Sequence, residues 1–177
     1  MSEELVPFGS PVYCALLAVC AAARAADFLS TWIATPRLVL EGNPLAKRLG
    51  WRWGAVVNGV VCLAFAAWPL AALMIATTSL LVAARNFQSA WLMRVLGEEG
   101  YRNWYVERLR QTPLPLYLAC LAGQTFLVGA IGVALVWFAP QTTPPVPLAI
   151  GLGLVAYAIA VAFYTSLAAY RIRRSFS

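Results

Sequence analysis

The 177-residue chain is 62% hydrophobic and 11% charged, carries a formal net charge of +6 at pH 7 and has a mean hydropathy of +0.74. A soluble domain is about one-quarter charged, so this composition excludes a chain whose whole surface meets water and makes lipid its solvent. The chain has no histidine, which removes the commonest metal ligand and general base, and Asp27 is its only aspartate, which excludes a two-aspartate intramembrane protease and the multi-aspartate metal site of a CDP-alcohol phosphotransferase.

The first residues, MSEELVPFGSPVY, hold acids and no Lys or Arg. A secretory signal needs a basic start, so no cleaved signal is expected and the first apolar run stays in the protein. A bilayer core about 30 Å thick takes about 20 mostly apolar residues to cross. Five stretches meet that length: 11–33, 51–68, 69–95, 113–138 and 146–170. The second is the shortest, with Trp53 and Trp68 near its ends as interfacial aromatics. Read as one helix, 51–95 would be about 65 Å long, too long for one crossing, so Pro69 is the expected break.

Between the first two spans lies TPRLVLEGNPLAKRLG, residues 35–50. Pro36 and the Asn43-Pro44 pair are expected to stop helix there, and Glu41-Gly42-Asn43-Pro44 reads as a turn. This apolar loop should dip into the interface and carry Glu41 and Asn43 towards Asp27 and Thr31. After the third span, GEEGYRNWYVERLRQT, residues 97–112, places Tyr101, Trp104, Tyr105 and Leu109 on one helical face and reads as an amphipathic helix lying on the membrane surface.

Orientation follows from Lys and Arg. The first connection holds Arg37, Lys47, Arg48 and Arg52. The third holds Arg94, Arg102, Arg108 and Arg110, and the tail holds Arg171, Arg173 and Arg174. The N-terminal segment, the Trp68-Pro69 turn and the QTTPPVP connection hold none. The expected fold is therefore an all-α transmembrane bundle of about five spans with one interfacial helix, forming a single domain. Its N-terminus is outside and its C-terminus inside, in the inner membrane of a prokaryotic cell. The rule also accounts for the positive charge without nucleic acid. Membrane lipid is the expected partner, with contact to anionic headgroups. A homo-oligomer or a partner subunit stays open, and Ala119, Gly123, Gly129, Gly132, Gly151 and Gly153 permit close helix contact. Cys14, Cys20, Cys62 and Cys120 lie in apolar runs without C-x-x-C spacing and read as buried small hydrophobes. No metal and no cofactor is expected.

Ionisable groups within a membrane are costly and face the bundle interior or a cavity. Arg24, Asp27 and Thr31 share one face of the first span, and Arg85, Asn86 and Ser89 occupy the third. From the helical rise, Asp27 and Arg85 each lie about 24 Å from the outer face, and Asn58 about 10 Å from the inner one. Gln124, Thr165 and Ser166 complete a layer of polar groups. The binding set is thus Arg24, Asp27, Thr31, Glu41, Asn43, Asn58, Arg85, Asn86 and Ser89, against a purely structural reading in which Arg24 and Asp27 neutralise each other and the amides and hydroxyls join helices.

DFLSTW, starting at Asp27, and NFQSAW, starting at Asn86, share three of six residues, with Asp against Asn a close change. This suggests a duplicated helix pair with a pseudo-two-fold axis along the membrane normal that sets Asp27 against Asn86.

The run from Asp27 to Leu45 reads D-x3-T-x9-E-x-N-P-L, carried by Asp27, Thr31, Glu41, Asn43, Pro44 and Leu45. It resembles a family of small, uncharacterised prokaryotic membrane proteins with the same elements. The resemblance covers about one-tenth of the chain and implies a shared helix–loop site rather than an activity.

No H-E-x-x-H, G-x-S-x-G, Walker A or dinucleotide fingerprint is present. Three functions stay open. The first is a non-catalytic membrane component that binds a lipid headgroup or a partner. The second is a small transporter or channel using Asp27. The third is a membrane enzyme acting on a lipid headgroup through Asp27 or Glu41, with Arg24 or Arg85 holding the phosphate.

Overall fold

The computed structural model describes residues 5–41, 44–139 and 146–174. The described residues form six α-helices and no strand: α1 (Pro11–Ala34), α2 (Pro44–Phe65), α3 (Pro69–Leu96), α4 (Glu98–Gln111), α5 (Leu114–Trp137) and α6 (Val146–Arg174). Four of them, α1, α3, α5 and α6, are long and apolar enough to cross a membrane. The protein is an all-helical bundle of the membrane class.

The boundaries follow local chemistry. Ser10 caps α1 by accepting from the Tyr13 N–H, and Pro11 opens the helix where its missing donor costs nothing. The helix ends at Thr35, ahead of Pro36. Pro69 opens α3 in the same way. Pro44 was expected to stop helix and instead starts one, because proline is compatible with the first turn. The stretch from Pro44 is continuous with α2 except at Gly50, where the backbone breaks (φ 65°, ψ −170°). From Trp51 to Phe65 only 15 residues remain, fewer than the other long helices have.

Side-chain ladders give the helix directions. Arg24 meets Ser79, and Ser30 and Thr31 meet Asn86, so α1 and α3 run parallel. Thr77 packs at Gly153 and Arg85 reaches Thr165, so α3 and α6 run parallel. Tyr13 donates to the Leu63 carbonyl while Gly54 packs on Phe28, so α2 runs back along α1. Gly132 meets Gly151 and Gly129 meets Ala158, so α5 runs back along α6. The C-terminal ends of α1, α3 and α6 therefore share one end of the bundle. α4 lies at that end, against α3 and α6.

α3 is the central element, packed on α1, α6, α4 and α2. Its buried Ala72, Ala76, Ser79, Ala83 and Ala90 form one helical stripe towards α1. Small residues let two backbones approach, and van der Waals packing then holds them together in lipid. The closest approach is α5 on α6. A Cβ at Gly132 would stand 2.8 Å from the Gly151 carbonyl oxygen, and one at Gly151 would stand 2.7 Å from the Gly132 oxygen. Gly129, Gly132, Gly151 and Gly153, read from the sequence as permitting close helix contact, make that contact inside the bundle. Of that set only Ala119 and Gly123 face outwards.

The duplication does not describe this bundle. It would set Asp27 level with Asn86, whereas Ser30 and Thr31 occupy that level, about one helical turn further along α1. The fourth span also packs on α6, while α2 packs on α1, so the two halves are not equivalent pairs.

Candidate functional site

Arg24 is the hub of the polar layer. Its Nε and Nη2 both donate to Asn58 Oδ1, the former at 2.6 Å. Its Nη1 donates to Asp27 Oδ2 at 3.1 Å and to Ser79 Oγ at 3.2 Å. One guanidinium thus joins α1, α2 and α3. The helical face that placed Arg24 and Asp27 together was legible, and the sequence reading of Asn58 at the same depth agrees with this pairing. Asn58 is held in turn by its amide donating to the Gly54 carbonyl at 2.7 Å. The side chains of Arg24 and Asp27 are 31% and 19% exposed, so Arg24 turns into the bundle rather than out to the interface.

One turn along, Asn86 donates to Ser30 Oγ at 3.2 Å and to Thr31 Oγ1 at 3.1 Å, while Ser30 donates to the Asp27 carbonyl. Glu41 acts electrostatically on Asp27. Asn43 lies outside the described residues. Ser89 donates to the carbonyl of Asn86 in its own helix.

Arg85 belongs elsewhere. It leaves the opposite side of α3, donates to Thr165 Oγ1 at 3.3 Å and faces Tyr101 and Tyr105 of α4 electrostatically. The phenols of Tyr105 and Tyr117 are 3.2 Å apart. Burial pushes the Tyr101 and Tyr105 phenols above the ordinary tyrosine range. The single layer expected from depth is therefore two groups separated by α3, because rise along a helix gives depth and not rotation. Gln124 and Ser166 face outwards and join neither. Cys20 and Cys62 are buried, but Cys14 and Cys120 lie on the bundle surface rather than inside it.

The residue that sequence reasoning missed is Glu98, the first residue of α4 and 5% exposed. Its Oε2 accepts from Thr35 Oγ1 at 2.6 Å and from the Val39 N–H at 3.0 Å. Its Oε1 accepts from the Arg37 N–H at 2.9 Å, with Arg37 Nε at 3.7 Å. Thr35 Oγ1 also accepts from the Leu40 N–H. Burial by itself would raise the Glu98 carboxyl pKa. The Thr35 hydroxyl, the two N–H donors and the Arg37 guanidinium outweigh it and hold the group below the ordinary carboxylate range. The available signal was an acidic pair, Glu98-Glu99, at a helix start, where the macrodipole favours negative charge.

On the face of α4 shared by Tyr101, Trp104, Tyr105 and Leu109, Leu109 is buried and Trp104 is 38% exposed. Arg173 donates from α6 to the Leu109 and Thr112 carbonyls at 2.8 and 2.5 Å, closing the far end of α4. Arg94 lies 5.7 Å over the Trp32 ring. Two open depressions mark the same end of the bundle. One of about 450 Å³ is lined by Leu167, Tyr170, Arg171 and Arg174, and the other by Glu107, Arg110 and Gln111. Among the described residues no group of three His, Cys, Asp or Glu side chains could hold a metal. Comparison with known protein families, with curated proteins and with solved structures finds no match.

Proposed function

We propose that the protein is a five-span, non-catalytic component of a prokaryotic inner membrane, with its N-terminus outside and its C-terminus in the cytoplasm, and that its cytoplasmic end binds acidic phospholipid headgroups. The carrying observation is the depression lined by Leu167, Tyr170, Arg171 and Arg174. Apolar walls suit the glycerol and upper acyl chain, and two guanidinium groups suit a phosphodiester. The other basic residues at that end add to the field. Arg24 supports a non-catalytic role, because its donors are taken up by Asp27, Asn58 and Ser79. α2 supports a fifth span, since Tyr13–Leu63 and Phe28–Gly54 keep it beside α1 across most of that helix. In this reading the D-x3-T and E-x-N-P-L elements mark a helix–loop joint shared with the family they resemble.

Native mass spectrometry of the protein taken from membranes rich in phosphatidylglycerol tests the lipid reading. Acidic lipid should be retained in preference to zwitterionic lipid, and Arg171→Ala with Arg174→Ala should cost about 1 kcal/mol per residue removed, roughly fivefold each in retention. Retention that mirrors the membrane's bulk composition, or that ignores both substitutions, refutes it. In a cysteine-free background, Phe8→Cys should react with an impermeant maleimide on intact cells and Asn103→Cys should not. The reverse labelling refutes the orientation.

The electrostatic effect of Glu41 on Asp27 favours one second reading, a cation or proton pathway that uses both carboxylates. Proton or cation flux in proteoliposomes that disappears in folded Asp27→Asn and Glu41→Gln proteins would favour it over the first.

A further inference from the structure

The turn after α1 is built like a receptor for an anion. Leu38 has φ 56°, the left-handed region, and is the only non-glycine residue there among those described. The left-handed region is disfavoured for every residue but glycine, so this turn is held against a local preference. Its effect is to aim the N–H groups of Arg37 and Val39, on either side of Leu38, at one point. Successive N–H groups converging in this way form a nest that binds anions. The Thr35 hydroxyl points to the same place, and the Arg37 guanidinium stands beside it. Further contacts brace the turn from behind: Trp51 Nε1 donates to the Pro36 carbonyl, and the Leu38 N–H donates to the Thr35 carbonyl.

Glu98 is the anion in this structure. It comes from a separate helix, which pivots on Gly97 at φ 70°, where a side chain would meet nothing within 4 Å. The two oxygens of a carboxylate and two oxygens of a phosphate present a similar bite to paired donors, and a phosphate brings a further oxygen and more charge for Arg37. The turn lies beyond the apolar part of α1, at the level of the basic end.

We propose that the Thr35–Val39 turn is a phosphate-binding site whose built-in occupant is Glu98, so that α4 acts as a tethered competitor for a phosphomonoester group. The lipid source of that group rests on the acidic-headgroup reading above; the nest itself does not. Tethering gives Glu98 a high effective concentration, so the wild-type site is mostly closed and opens to ligand when α4 lifts.

The test compares wild type with Glu98→Ala and Glu98→Gln in a lipid-free detergent. Inorganic phosphate is titrated at constant ionic strength against chloride, and the thermal midpoint is followed. Both variants should bind phosphate at least about tenfold more tightly than wild type, and adding Thr35→Val should abolish the gain. If Glu98→Ala does not fold, Glu98→Gln, which keeps the side-chain length, carries the comparison alone. In a second arm, micelles doped with phosphatidic acid are compared with micelles doped with phosphatidylcholine. A shift with inorganic phosphate and phosphatidic acid, or with phosphatidic acid alone, supports the proposal, the latter assigning the ligand to lipid. No shift in either variant with either probe, or a shift that survives Thr35→Val, overturns it. Retention of acidic lipid by the wild-type protein is scored separately. Its absence beside a phosphate gain in Glu98→Gln removes the lipid reading and leaves the nest, and its presence beside no gain does the reverse.

Discussion

Arg24 of α1 and Asn58 of α2 meet through two guanidinium nitrogens on one amide oxygen, with Nε at 2.6 Å. In lipid there is no water to satisfy either partner, so the pair acts as a clamp that sets the rotation of α2 about its own axis. Asp27 and Ser79 complete the coordination of the same guanidinium, which ties the clamp to α3.

Removing one partner from this group should cost more than removing the charges together. Arg24→Leu leaves Asp27 without its cation and should destabilise by about 3–5 kcal/mol, whereas Arg24→Leu with Asp27→Leu should recover much of that loss. A double-mutant cycle read from reversible unfolding in mixed micelles measures the coupling. Additive losses would show that the two residues do not act as a pair. Asn58→Leu alone should cost about 1–3 kcal/mol.

The Glu98 clamp should depend on pH in one direction. Its carboxyl is held below the ordinary value of 4.5 in the folded protein. The folded state therefore binds that proton less readily than the unfolded one, and the stabilisation is complete above the ordinary range. It is lost as the pH falls from there through the depressed folded value. Wild type minus Glu98→Gln stability, measured by thermal unfolding between pH 7 and 3, should be flat near neutrality and shrink on the acid side. A difference that grows on acidification contradicts the assigned environment.

Glycine is required where α5 crosses α6. Gly132→Ala would drive a methyl group to 2.8 Å from a carbonyl and 2.9 Å from the Leu154 Cβ, and overpacking of this kind costs about 1–3 kcal/mol. Gly123→Ala points away from the bundle with nothing within 4 Å and should be neutral or gain up to about 1 kcal/mol from helix propensity. Melting temperatures of the two variants in the same detergent should therefore move apart. Equal effects would place the contact elsewhere.

The far end of α4 should loosen with Arg173→Ala, which removes the donor to the Leu109 and Thr112 carbonyls. Hydrogen exchange at residues 105–112 should rise by about tenfold or more for a loss of 1.4 kcal/mol or above, with α1 and α3 unchanged. Uniform exchange along the chain would mean that Arg173 supports the whole bundle instead.

The positions of the long helices were readable in advance because length and apolarity are properties of a continuous stretch. α1, α3, α5 and α6 begin within a residue of the expected starts, and α4 falls within the expected amphipathic segment. The repeat in DFLSTW and NFQSAW was misleading for the opposite reason. Three shared residues in six fix a local helix face, but the level at which two helices meet depends on all their side chains together.

What the chain determined by itself was its solvent, its helices and the end at which its cations gather, since each follows from composition and spacing along one strand of residues. Which polar groups touch was decided only by tertiary packing. Arg24 and Arg85 are both arginines within apolar helices, yet one is enclosed by α1, α2 and α3 and the other turns to α6 and α4. Glu98 finds Thr35 across 63 residues. Rotation about a helix axis and the path of a connecting turn are set by close packing between elements, and no single element's sequence carries that information.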